Sequence, residues 1–76
     1  MKMKKRWIKV NNMSDIKAFL EHAMKVEGDV IVKKGIYVID GKSVMGIFSL
    51  DVTSGFSVEY PAAATEFDEF IAQFEA

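Results

Sequence analysis

Few residues in this 76-residue chain can carry chemistry. There is one histidine, His22, and no cysteine, which removes thiolate nucleophiles, Cys/His pairs and thiolate metal sites together. His22 falls on the polar side of a helical pattern, so a solvated surface imidazole is expected. Gly41 and Gly46 fit no phosphate-cradling loop. Asp68 and Glu69 are adjacent, and adjacent residues of a helix point in different directions, so they make no acid–base pair. The expectation is a protein that is not an enzyme and holds no metal and no cofactor.

Ser43, in "GKSVMGIFSLDVTSG" (residues 41–55), has the most interesting surroundings. A serine just before a helical run is a natural N-cap, because its oxygen satisfies one of the orphan N–H groups of the first turn. The same N–H groups and the helix dipole also favour a phosphate there. The run that follows poses a problem of burial. Val44, Met45, Ile47, Phe48 and Leu50 spread over more than half of a helix circumference, wider than the stripe that one packed face covers. Part of that arc enters a core. The rest is either buried under neighbouring loops or is a surface of Met and Phe on which a partner docks.

The elements that position these residues follow from periodicity. Residues 4–10 alternate as a strand, with Ile8 and Val10 on one face and Lys5, Trp7 and Lys9 on the other. From Ser14 or Asp15 the period becomes helical: Ile16, Phe19, Leu20, Ala23 and Met24 form a stripe, ended by Gly28. Residues 29–33 and 36–40 read as a hairpin around Lys34-Gly35. Ser43 caps a short helix over 44–50, a break follows at Thr53-Ser54-Gly55, and Phe56, Val58 and Tyr60 line one face of a fourth strand. Pro61 stops that strand. Thr65, with Asp68 three residues on, is expected to cap a last helix carrying Phe67, Phe70, Ile71 and Phe74. The order β-α-β-β-α-β-α predicts a single α+β domain over 1–76: a two-layer open-faced sandwich, with one four-stranded antiparallel sheet and three helices on one face. The other face is open to water, and Trp7 lies on it among lysine stems.

Composition narrows the function classes. Half of the residues are hydrophobic and the net charge is −1, which suits a folded domain and not a general nucleic-acid binder. No apolar run is long enough to span a membrane or serve as a secretion signal, so a cytoplasmic protein is expected. Charge is uneven along the chain. Lys2, Lys4, Lys5, Arg6 and Lys9 crowd the start, while no basic residue follows Lys42 and acids run on to Glu75. Either the first strand and last helix lie together, their charges attracting, or the acids form a face used in docking; the first is the expectation, since charge runs are usually solvated faces.

The segment around Ser43 resembles that of HPr, the histidine-containing phosphocarrier of the bacterial phosphoenolpyruvate:sugar phosphotransferase system, with its core K-S-I-M-G-[IV]-M-S-L. Lys42, Ser43, Met45, Gly46, Ser49 and Leu50 match it in type and spacing, and the element order agrees over essentially the whole chain. The resemblance implies the HPr-like fold, and places Ser43 on the serine that a kinase phosphorylates in many Gram-positive members. It places Val44, Met45 and Phe48 on the apolar patch by which HPr docks its protein partners. The family carries phosphate on a histidine in G-[LI]-H-A-R-P-A, whereas this chain has "VNNMSDIKA", with Asn12 near the histidine position, Ser14 near the arginine and Asp15 near the proline. The resemblance thus implies an HPr-like regulatory or adaptor protein without the phosphohistidine, whose partners are phosphotransferase-system proteins or a serine kinase. The alternatives are a residual phosphocarrier using His22, and a module that self-associates through Val44, Met45 and Phe48 or through the open sheet face.

Overall fold

Residues 2–51 and 54–75 are described by the computed structural model; Thr53 of the expected break lies outside them. The elements run β1 (Met3–Ile8), α1 (Met13–Met24), β2 (Ile31–Lys34), β3 (Tyr37–Asp40), α2 (Val44–Phe48), β4 (Phe56–Pro61) and α3 (Thr65–Ala72). The four strands form one antiparallel sheet in the order β1-β4-β2-β3. The chain is the expected α+β open-faced sandwich.

Alternation decides which side of each strand is dry. Phe56, Val58 and Tyr60 of β4, Val32 of β2 and Ile8 of β1 are buried on one face. Phe19 of α1 meets Phe56 edge-on at 5.8 Å, and Phe67 of α3 meets Tyr60 at 5.3 Å. Ile47 of α2 and Ile71 of α3 complete the same cluster, so all three helices cover one face. On the other face Trp7 is half exposed, its indole lying over Gly55, and Lys33 reaches across to Glu59 at 2.8 Å. At the hairpin, Gly35 takes φ +59° while Ile36 stays negative, the arrangement of a two-residue loop whose first residue is glycine.

Several boundaries differ from the sequence reading. β1 ends at Ile8; Val10 is buried, but in the loop beyond. α1 begins at Met13, one or two residues before the expected Ser14 or Asp15, because Asn12 is its N-cap, and it ends at Met24, with Lys25 as C-cap ahead of Gly28. Met24, counted on the apolar stripe, is half exposed at its rim. Thr65 does not cap α3. The cap position is Ala64, whose methyl group can accept no hydrogen bond, and Thr65 is the first helical residue.

Asp68 is thereby released for another task. Arg6 of β1 donates from Nε to Asp68 Oδ1 at 2.9 Å, and the Tyr60 hydroxyl donates to the same carboxylate. Arg6 also reaches Glu75 at 3.0 Å, and Lys4 reaches Asp68 at 3.5 Å. The first strand and the last helix are clasped by their opposite charges, as the uneven charge distribution suggested. Hydrogen bonds from Arg6 and Tyr60 hold the Asp68 carboxyl down at about 2, while burial and Asp68 push the Tyr60 phenol up to about 12.

Because the Asp68 pKa is lower when folded than the ordinary value of about 3.9, its contribution is complete above that value. It is lost as the pH falls towards about 2. Asp68→Asn should cost about 1–3 kcal/mol at neutral pH, since it removes the negative charge that pairs with Arg6 and replaces one of the two acceptor oxygens by an amide donor. Urea unfolding at pH 7, 4 and 2.5 should show the wild type losing this difference across the acid range while the variant's curve is flatter there.

Candidate functional site

The start of α1 is built by two side chains. Asn12 Oδ1 accepts from the Asp15 backbone N–H at 2.9 Å, and Asp15 Oδ2 accepts from the Asn11 N–H at 3.2 Å. The pattern is a reciprocal capping box, with Asp15 reaching back past the cap. Its carboxylate also puts a negative charge in the positive first turn. Asn12 and Asp15 thus supply acceptors at the helix end where an anion would otherwise be bound.

His22 lies ten residues further on, about 15 Å along the helix. It is not the solvated imidazole expected. Its ring stacks face to face on Phe70 of α3 with centroids 3.7 Å apart and planes within 4°, and Nδ1 is 2.8 Å from the Ala18 carbonyl. Sequence position alone could not show this, because Phe70 comes from a helix nearly fifty residues away.

α2 carries the other expected residues. Ser43 has extended backbone angles, and its Oγ accepts from the Gly46 N–H at 3.1 Å, the cap expected from its place before the run. Lys42 next to it points inward, donating from Nζ to the Val26 carbonyl at 2.7 Å. The wide apolar arc divides cleanly. Ile47 is fully buried and Leu50 packs partly against the core, while Val44 and Phe48 are each more than two-fifths exposed and Met45 is 85% exposed. Val44, Met45 and Phe48 therefore form one uncovered patch beside the Ser43 hydroxyl. Gly46 sets how closely that helix lies on the sheet: a Cβ there would come within 2.5 Å of Ile39 Cγ2. Asn12 and Ser43 belong to separate helix starts, and no hydrogen bond joins them among the described residues.

Among those residues no group of three His, Cys, Asp or Glu side chains could hold a metal ion, and no helix is long and apolar enough to cross a membrane. One surface escaped the sequence reading. Ile36, Tyr37 and Val38 are 91%, 59% and 67% exposed at the edge of the sheet. The signal was present in "GIYVID", which is apolar on both faces of the strand and not alternating.

No protein-family model matches the chain, and no curated protein matches it. A solved structure does: the crystal structure of a phosphocarrier protein HPr from Bacillus anthracis str. Ames superposes with a TM-score of 0.76, covering 100% of both chains at 21% sequence identity. The fold is that of HPr. The two chains share sheet, helix order and length at an identity that speaks for architecture alone.

Both caps are open to test by unfolding. Asn12→Ala and Ser43→Ala should each cost about 1 kcal/mol, the usual loss for a side-chain cap. Gly46→Ala should cost about 1–3 kcal/mol by forcing α2 away from Ile39. Urea midpoints at one pH are sufficient to rank the three, and a neutral Gly46→Ala would remove the claim that its missing side chain sets the helix–sheet distance.

Proposed function

We propose that this chain is a non-enzymatic, HPr-like protein of the phosphotransferase-system type that carries no phosphohistidine and acts by docking protein partners through α2. The observation that supports this reading most directly is the capping box at α1. In the HPr pattern that helix start presents the phosphoryl-accepting imidazole. Here it presents Asn12, an amide without phosphoryl-acceptor chemistry, with the Asp15 carboxylate bonded in the same turn. A phosphate brought there would be repelled by Asp15.

What the chain keeps of the pattern is the α2 surface. Val44, Met45 and Phe48 stand in water next to Ser43, and a flexible Met between two apolar neighbours adapts to differing partner surfaces. A phosphoryl group on Ser43 would add a charge of about −1.5 to −2 beside that patch. It would also displace Oγ from the Gly46 N–H, coupling the modification to the first turn of α2. In this reading the protein competes with HPr for shared partners, and Ser43 modification tunes the competition.

Intact-mass analysis after two incubations tests the carrier and switch halves. With phosphoenolpyruvate and enzyme I, no adduct is expected while a bona fide HPr control gains one; a phosphate on this chain, lost in His22→Ala, would overturn the reading in favour of a carrier. With ATP and the HPr serine kinase, an adduct at Ser43 is expected. Docking is tested separately by competition. An excess of this chain should slow phosphorylation of HPr by enzyme I, and Met45→Glu should relieve the inhibition; inhibition unchanged by that substitution would remove α2 as the docking surface.

A further inference from the structure

Oxidisable sulfur is kept out of the core. The chain has no cysteine and five methionines, so thioethers are its only sulfur groups. Among the described residues no methionine enters the core cluster, whose buried members are Ile, Val, Phe, Leu, Ala and Tyr. Met3 opens β1, and Met13 and Met24 are the first and last residues of α1; they are 42%, 54% and 53% exposed. Met45 stands apart at 85%.

Exposure governs how fast a thioether is attacked, because the oxidant must reach the sulfur. Met45 is therefore the fastest target of the four. Its position also makes it the most consequential, since it alone lies in the apolar patch of α2 with Val44 and Phe48. Oxidation replaces a soft apolar side chain by a polar one that carries a strong acceptor oxygen. An apolar partner surface has no donor for that oxygen, and burying it unpaired opposes docking. Because the core holds none of these methionines, the fold stands while the surface changes.

We propose that Met45 is an oxidation site through which hydrogen peroxide switches off docking at α2. The sulfur lone pair takes one oxygen of the peroxide, and the O–O bond breaks as the S–O bond forms. Sulfur is oxidised by two electrons and the peroxide is reduced. The departing hydroxide takes the proton left on the sulfur-bound oxygen and leaves as water, giving methionine sulfoxide with no change in net charge. The switch rests on the docking role proposed for α2, and it acts beside Ser43 by polarity alone, where phosphorylation would act by charge.

The order of residues makes the modification easy to map. Trypsin cuts after lysine and arginine, and none follows Lys42, so residues 43–76 leave as one fragment whose single methionine is Met45. Met13 falls in the fragment 10–17 and Met24 in 18–25. Under limiting hydrogen peroxide the 43–76 fragment should gain an oxygen atom about 1.5 to 2 times faster than either, in proportion to exposure. An equal or slower rate would overturn the proposal. The urea midpoint should not move on oxidation; a clear fall would place the damage in the fold and overturn it too.

Docking is read by the competition assay, using a variant that keeps Met45 and carries Met3→Leu, Met13→Leu and Met24→Leu. Before oxidation it should slow phosphorylation of HPr by enzyme I as wild type does. After oxidation, the concentration needed for half inhibition should rise at least about tenfold. Inhibition retained in full with Met45 oxidised overturns the switch and leaves the docking role intact. No inhibition by the unoxidised protein, wild type included, overturns the docking role and the switch with it.

Discussion

β4 pairs with β1 on one side and β2 on the other, and its inward residues Phe56, Val58 and Tyr60 form the floor against which the rings of α1 and α3 are set. A chain of this length has enough apolar surface for one core and no second layer to spare. Everything apolar that the helices offer must converge on that floor, and what does not reach it is left in water. The exposed residues of α2 and β3 are consequences of the same constraint. α2 spends Ile47 on the core and cannot turn Met45 inward as well.

The clasp between Arg6, Tyr60 and Asp68 stands at one border of that core and ties the two ends of the sequence together. It explains an otherwise odd charge distribution, with half of the cations crowded into the first nine residues, none after Lys42, and acids running on to Glu75. Asp68 is part-buried beneath the guanidinium, so one carboxylate satisfies a cation and a phenol that would each be costly to leave alone. The acids beyond this clasp, such as Glu69, lie on the solvated face of α3. Attraction within the chain accounts for much of the asymmetry that could have been read as a docking face for an external partner.

The two helix starts show how the same backbone feature is put to different use. At α1, Asn12 and Asp15 satisfy the free N–H groups from within, so the turn is complete without a ligand. At α2, Ser43 does the same through a single hydroxyl, which a modification can remove.

Much of the architecture was legible in the sequence because it rests on local periodicity. The stripe of Phe19, Leu20 and Ala23, the alternation of Phe56, Val58 and Tyr60, the hairpin at Gly35 and the cap at Ser43 each follow from side-chain spacing that a few residues define. The misjudged ends at Asn12 and Thr65 were also local, but there several residues compete for one cap and packing chooses among them. Tertiary structure alone decided the rest. Phe70 converted His22 from a solvated imidazole into a stacked one, and Arg6 diverted Asp68 from capping to ion pairing. The core divided the arc of α2 into Ile47 inside and Met45 outside, and strand order placed β1 and β3 at the two edges of the sheet. Each of these depends on contacts between residues far apart in the chain, and periodicity carries no information about which distant face a side chain will meet.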